Sequence, residues 1–461
     1  MFTLWLHVTN LFGADGVTSK TSQQQPDVGK GQRREWRSLF ASTEIDSRLA
    51  GMIVALVMIW LGFHFLSGGA FLTSRNLWNL SVQSASIAIM ATGMVLIIVS
   101  RNIDLSVGSL LGLLGYVMAV AQARWIPETF GLGFDRPYTW LIALAIGLVL
   151  GTAIGAVQGA VVAYGGVPAF IVTLGGFLVW RGLIFRMGEQ GKTISPLDTN
   201  FQLLGGGPNG SLGATRSWIL GVVGCIITVS SIWLARRRRR RYDLAVRPFV
   251  VDIGLAVLGV VVIILGIWLI AIKYNSPITG KASGVANPVV ILFVVSILVT
   301  YMARRRRFGR YVYAIGGNPE AAELGGINTR RTIMMTFVLM GVLCAVSAAV
   351  QTARLNAAVT NLGIQNELDV ISAAVIGGTS FSGGVGTISG AVLGAVIMQS
   401  LRSGMVLLRI DSPSQDIVVG IVLVTAVAID AALRLARRRT ASVSLVIGLV
   451  LAAIIIQTGR Q

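Results

Sequence analysis

Long apolar runs, separated by short polar stretches, repeat along almost the whole chain. They cover residues near 50–66, 77–99, 105–123, 138–163, 168–187, 217–235, 248–272, 287–303, 332–353, 386–408, 415–433 and 441–457. Most approach the ~20 residues that an α-helix needs to cross about 30 Å of hydrocarbon. The pattern predicts an all-α, polytopic transmembrane helical bundle with about 10–13 membrane segments. One stretch fits less well. "ELDVISAAVIGGTSFSGG" (367–384) has an apolar part too short for an ordinary span, interrupted by glycine and serine.

Charge gives the runs a direction. Arginines gather beside them as Arg33, Arg34 and Arg37, as Arg236 to Arg241, as Arg304 to Arg307 and as Arg437 to Arg439. Under the positive-inside rule these blocks mark cytoplasmic flanks. A cytoplasmic N-terminus puts the loops after the second, fourth, sixth and eighth runs inside. The long arginine-poor loop "MGEQGKTISPLDTNFQLLGGGPNGSLGATRSW" (187–218) then lies outside. Bringing Arg434 and Arg437 to Arg439 inside requires one further crossing, and 367–384 is the stretch that can supply it. A broken helix is tolerated at membrane depth only where protein or a watery cavity covers the freed backbone. The stretch is therefore read as a discontinuous element beside a transport pathway.

Composition agrees. The chain has 461 residues, 54% hydrophobic and 12% charged, with mean hydropathy +0.76. That is too little charge to coat a soluble protein of this size. The formal net charge of +19 would suggest a nucleic-acid partner in a soluble chain. Here the arginine blocks flank apolar runs and no aromatic interleaving accompanies them, so a bilayer is expected and nucleic acid is not. Cys225 and Cys344 both sit in apolar runs, and the histidines are His7 and His64. No disulfide framework, metal cluster or histidine-based proton chemistry is implied. Residues 1–48 are expected to form a disordered cytoplasmic tail without a signal peptide. Residues 49–435 form the transmembrane domain, and 436–461 a basic linker with one extra apolar segment.

Several motifs are weighed and set aside. "GEQGKT" (188–193) resembles the end of a phosphate loop, but Arg186 occupies the position of the required first glycine and no strand precedes it. No ATP site is expected on this chain. Small residues in "GLVLGTAIGAVQGA" (147–160) and "GTISGAVLGA" (386–395) are read as close helix packing. "VGSLLGLLGYVM" (107–118) and "VGTISGAVLGAVIM" (385–398) echo each other faintly, as an internal repeat would.

Polar groups near or within spans say more, because each needs a partner or water. Gln83, Asn102, Asp104, Gln158, Arg181, Arg186, Glu367 and Asp369 are candidates. Arg181 and Arg186 are read as snorkelling to the interface. Asp104 either caps the helix that follows or touches substrate. Gln83, Gln158, Asp369, Ser372 and Thr379 are expected along the pathway wall. No carboxylate or histidine is expected in the middle of a span, which argues against a proton-coupled carrier. The rivals, a gradient-driven carrier or channel and a membrane-embedded enzyme, lack supporting constellations.

"GGNPEAAELGGINTRR" (316–331) is polar among greasy neighbours. Asn318 suits an N-cap, Pro319 the first helical position and Glu320 the positive helix start, while Gly325 and Gly326 end the helix. So short a helix is marginal unless another surface holds it, which predicts a docking helix for a cytoplasmic partner, with Ala321 and Ala322 allowing close approach.

"RNIDLSVGSLLGLLG" (101–115), "PAFIVTLGGFLVWRGL" (168–183), "FGRYVYAIGGNPEAAELGGIN" (308–328) and "ELDVISAAVIGGTSFSGGVGTISGAVLGA" (367–395) resemble the permease subunits of bacterial ABC importers for monosaccharides, over roughly 50–434. Within that family the likeness is to the xylose type, whose insertion the region around 217–272 resembles, with a permease for another sugar such as ribose as the alternative. The resemblance implies an inner-membrane permease that binds no cofactor, dimerises and receives its sugar from an external binding protein. It also implies that two cytoplasmic ATPase subunits, which hold the ATP and magnesium, dock on the loop 304–331. Asn318, Pro319, Glu320, Ala321, Ala322, Glu323, Gly325 and Gly326 would form the coupling segment.

Overall fold

The structure, a computed structural model, describes residues 47–436 except 189–190, 208–209, 243–245, 247 and 276–279. The sequence readings for 1–46, for Arg437 to Arg439 and for the run 441–457 lie outside the described residues.

Fifteen α-helices form among the described residues, and no named strand. In chain order they are α1 Ser47–Leu66, α2 Ser74–Val99, α3 Val107–Val120, α4 Thr139–Ala163, α5 Ala169–Met187, α6 Thr199–Gln202, α7 Gly213–Arg241, α8 Phe249–Gly266, α9 Asn287–Arg305, α10 Arg307–Gly317, α11 Pro319–Leu324, α12 Thr329–Leu355, α13 Asn366–Ile376, α14 Ile388–Leu407 and α15 Ser412–Ala436. α3 and α8 continue as π-helical turns over Ala121–Thr129 and Ile267–Ile272. Ten of the described helical segments are long and apolar enough to cross a membrane. Polar N-caps start some of them: Asn328 accepts from Arg331 N at 2.9 Å, and Thr387 from Gly390 N at 3.1 Å.

Two ends of the bundle can be told apart by their contacts. At one, Trp78 Nε1 at the start of α2 donates to Gly284 O (3.0 Å), and Asn287 at the start of α9 donates to Leu203 O (2.8 Å). At the other, Gly384 N donates to Val99 O at the end of α2 (3.0 Å). Arg101 there donates to Gly316 O and Gly317 O, both at 2.8 Å. α7 starts at the first end, where Leu212 N donates to Val285 O, so its six arginines reach the second. The second is called the arginine end below.

The core sits where α2, α3, α4, α12 and α14 meet, and α2 is buried along most of its length. The α4–α12 seam is the tightest. A side chain on Gly341 would collide with the Gly151 carbonyl, and one on Gly155 with the Phe337 carbonyl. In lipid no apolar gain holds helices together, so close backbone approach supplies dispersion contact instead. By contrast, α7 and α8 pair with each other through Arg236 and Asp252 and leave most of their apolar surface uncovered.

The crossing that the arginines required is present. α12 ends at Asn356, on the side of the Ile194–Ala358 bridge, whereas 383–386 lies at the arginine end. The chain passes between them through irregular backbone over 356–365 and the 11-residue α13.

Gly341→Ala is expected to lower stability in detergent by about 1–3 kcal/mol, because backbone lies where the new methyl must go. Gly175→Ala, which meets nothing within 4 Å, should leave the melting temperature unchanged. Equal melting of both variants would refute the seam.

Candidate functional site

The broken crossing organises the site. Asn356 and Gln365 both adopt left-handed backbone, so the chain leaves α12 and enters α13 by sharp turns. Irregular backbone inside a bundle must find hydrogen-bond partners within the protein. Arg181 on α5 supplies two, donating to Thr360 O (3.3 Å) and Leu362 O (3.0 Å). The expectation that Arg181 snorkels is therefore corrected: its guanidinium turns inward because two carbonyls need it. α3 provides the bed. A side chain on Gly108 would strike Glu367 and the Gly363 carbonyl, and one on Gly112 the Leu362 carbonyl, so these glycines seat the irregular segment and the start of α13.

The first turn of α13 faces a cavity of ≈ 190 Å³ between α2, α12, α13 and α14. Its wall is rich in amides and charges. Gln399 Nε2 donates to Gln83 Oε1 (2.7 Å), and Asn366 Nδ2 to Gln351 Oε1 (3.1 Å). Arg402 holds Asp369 at 2.8 Å and stands 3.7 Å from Asp416 on α15, which also accepts from Gln365. Arg354 lies exposed in the last turn of α12, where a cation complements the helix dipole. Neutral amides able both to donate and to accept, beside one ion pair and the Arg354 cation, suit a ligand covered in hydroxyl groups.

Of the residues singled out in the sequence, Gln83 and Asp369 line this cavity. Ser372 follows Asp369 by about one turn of α13 and Thr379 lies beyond its end. Both are buried, and their hydroxyls have no partner. Gln158 and Asp104 lie elsewhere, in a buried cluster with Ser106. Gln158 Nε2 donates to Ser106 Oγ (3.1 Å), and Ser106 donates to Asp104 Oδ1 from its backbone (2.8 Å) and hydroxyl (2.7 Å). The helix begins at Val107 with no side-chain cap bond, so Asp104 ties the preceding turn instead of capping.

The carboxylates singled out in the sequence keep away from the middle of unbroken spans. Asp104, Glu367 and Asp369 are all buried. Each stands at or beside a break in helix, where free backbone groups or an arginine can meet it. Ser86, Gln351, Arg354, Asn366, Gln399 and Arg402 were missed as lining residues. The signal was present: Gln351 and Arg354, and Gln399 and Arg402, are i, i+3 pairs, which share a helix face.

At the arginine end α11 forms as the polar stretch predicts. Asn318 Oδ1 accepts from Ala321 N at 3.0 Å, with Pro319 in the first turn. Gly325 N and Gly326 N close the helix on Ala321 O and Glu323 O. Ala322 is corrected: it is buried at 6% exposure and faces the bundle, so it offers no docking surface. Glu320, Ala321, Glu323 and Leu324 face outward, and Leu324 is 91% exposed. α10 fixes this corner, because Tyr313 donates to Gly386 O at 2.7 Å. Burial pushes its phenol above the usual tyrosine range, against the pull of Arg304, and keeps it a donor.

A family model described as "Branched-chain amino acid transport system / permease component" matches residues 76–427. The xylose transport system permease protein of Escherichia coli (strain K12) is 39% identical over 381 residues, 83% of this chain and 91% of that one. The counterpart from Haemophilus influenzae is 38% identical over 394 residues, 85% of this chain and 98% of that one. The ribose import permease protein of Escherichia coli (strain K12) is 33% identical over 362 residues, 78% of this chain and 87% of that one. No solved structure matches.

Arg402→Met strands the buried Asp369 carboxylate and should cost about 3–5 kcal/mol, whereas the double variant Arg402→Met, Asp369→Leu should recover most of it. Detergent unfolding of the two single variants and the double variant reads the coupling directly. Additive losses would mean the pair is incidental.

Proposed function

The chain belongs to the family of branched-chain amino acid transport system permease components, and from that premise we propose that it translocates a monosaccharide, D-xylose, as the permease of an ATP-driven importer. It is a multi-pass protein of the inner membrane. The observation that carries the sugar is the 39% identity to a xylose permease across nearly its whole length. The amide-lined cavity supports the same reading, since sugar hydroxyls both donate and accept.

In this reading the N-terminus and the arginine end are cytoplasmic, and the cavity lies in the outer half of the bundle. An external binding protein releases the sugar into it, where Gln83, Gln399, Gln351 and Asn366 exchange their mutual hydrogen bonds for bonds to the ring hydroxyls. Asp369, Ser372 and Thr379 mark the onward route along α13, and the two orphaned hydroxyls gain partners as the sugar passes. Asp104 and Gln158 hold the turn before α3 and act on the route only through it. The chain performs no chemistry itself. Two ATPase subunits, holding ATP and magnesium, seat on the outward face of α11 in a complex with two permease copies.

Proteoliposomes test the whole assignment. D-xylose uptake should require the ATPase, the binding protein and internal ATP together, and D-ribose should compete weakly. Uptake by this chain alone would overturn it in favour of a gradient-driven carrier. Gln83→Ala with Gln399→Ala should lower xylose uptake by about thirtyfold, through the loss of roughly one net hydrogen bond's worth of binding at each residue. ATPase co-purification should be unchanged.

The docking face has its own test. Ala321→Trp should weaken seating of the ATPase by overpacking, at about 1–3 kcal/mol, with insertion into the membrane intact. Wild-type co-purification and wild-type sugar-stimulated hydrolysis in that variant would remove α11 from the coupling role.

A further inference from the structure

The six arginines that end α7 do not form a uniform collar. At about 100° per residue, Arg240, Arg237, Arg241 and Arg238 follow one another around less than half of the helix circumference. All four are exposed. Arg236 and Arg239 fall on the remaining side and are half-buried, and Arg236 is taken up by Asp252 of α8 and the face of Phe249.

The same arithmetic applied up the helix places Ile219, Val222, Val223, Ile226 and Trp233 on the side of the four free-standing arginines. Each of these apolar residues is exposed. One face of α7 is therefore an uncovered apolar strip, several turns long, that runs directly into a compact guanidinium patch. Where the two meet, Arg237 lies over the Trp233 ring at 5.3 Å, which holds the cation at the boundary.

That shape is the complement of an amphiphile with an anionic head. We propose that the outward face of α7 binds an anionic phospholipid, with the phosphate forked by Arg237, Arg240 and Arg241 and the acyl chains running past the exposed Trp233 and Leu234 toward Ile226 and Ile227, the stretch of this face within the ~15 Å that one leaflet spans. Arginine suits this role because its planar fork pairs two donors with phosphate oxygens. Charge complementarity selects a lipid over a second copy of the chain, since a copy would set the same arginine patches against one another about a twofold axis. The site is separate from the cavity and from α11, and does not depend on which sugar is carried.

The full-length chain, purified in neutral detergent, carries the test. Native mass spectrometry with equimolar phosphatidylglycerol and phosphatidylcholine should show phosphatidylglycerol retained with a preference on the order of 10–100-fold. Arg237→Gln with Arg240→Gln and Arg241→Gln should abolish the preference. Brominated-chain phosphatidylglycerol should quench wild-type Trp233 more strongly than brominated phosphatidylcholine, with Trp233→Phe as background. This arm does not depend on the variant folding. Equal retention of the two lipids, or no excess quenching, overturns the proposal. So does displacement of the lipid by millimolar inorganic phosphate, which would make the patch a simple anion site. A lipid-independent dimer broken by the arginine variant would assign the face to a second copy instead, and would equally overturn it.

Discussion

A backbone that leaves helix inside a membrane must be satisfied by protein, and the rest of this structure is arranged around one such place. Residues 356–365 pass irregularly between α12 and α13. Arg181 holds two of their carbonyls, and α3 offers glycine where those carbonyls press closest. An unsatisfied polar group in hydrocarbon costs several kcal/mol, so α3, α5 and the irregular segment are bound to one another by necessity. The result is a helix that starts inside the bundle and carries Asn366 and Asp369 into the cavity.

Around that centre the helices divide by how they are held. α2, α4 and α12 pack through glycine, alanine and serine, with Ser86 and Ser347 bonded across α2 and α12 at 2.7 Å. This gives a stiff frame. α7 and α8 lean on each other and present valine, isoleucine and tryptophan outward. Such a hairpin is solvated by lipid, so its energetics depend on the bilayer in a way the frame's do not.

The frame also joins the two ends. α2 contributes Gln83 and Ser86 to the cavity and, at its far end, offers the Val99 carbonyl to Gly384. Arg101 grips the last turn of α10 just beyond, next to α11. A single buried helix thus touches both the proposed sugar site and the proposed docking corner. A rigid element of this kind can transmit a displacement without a chain of small side-chain shifts.

Hydrophobic runs, arginine blocks and capping residues are local properties, and they determined much of this protein by themselves. Helix boundaries follow within a few residues for most spans. The need for a crossing at 367–384 follows from where the arginines must end, and α11 follows from Asn318, Pro319 and the glycine pair. What one sequence lacks is the rotation of each helix about its own axis, which packing alone decides. Gln83 and Gln158 read alike as polar residues in spans, yet one faces the cavity and the other a buried serine. Gln351, Arg354, Gln399 and Arg402 became a wall only when α12 and α14 were brought against α2. Ala321 and Ala322 are adjacent and identical, but a two-turn helix pressed on the bundle buries one and exposes the other. Arg181 shows the same limit: whether a long cation reaches for water or for carbonyls depends on what the fold places beside it.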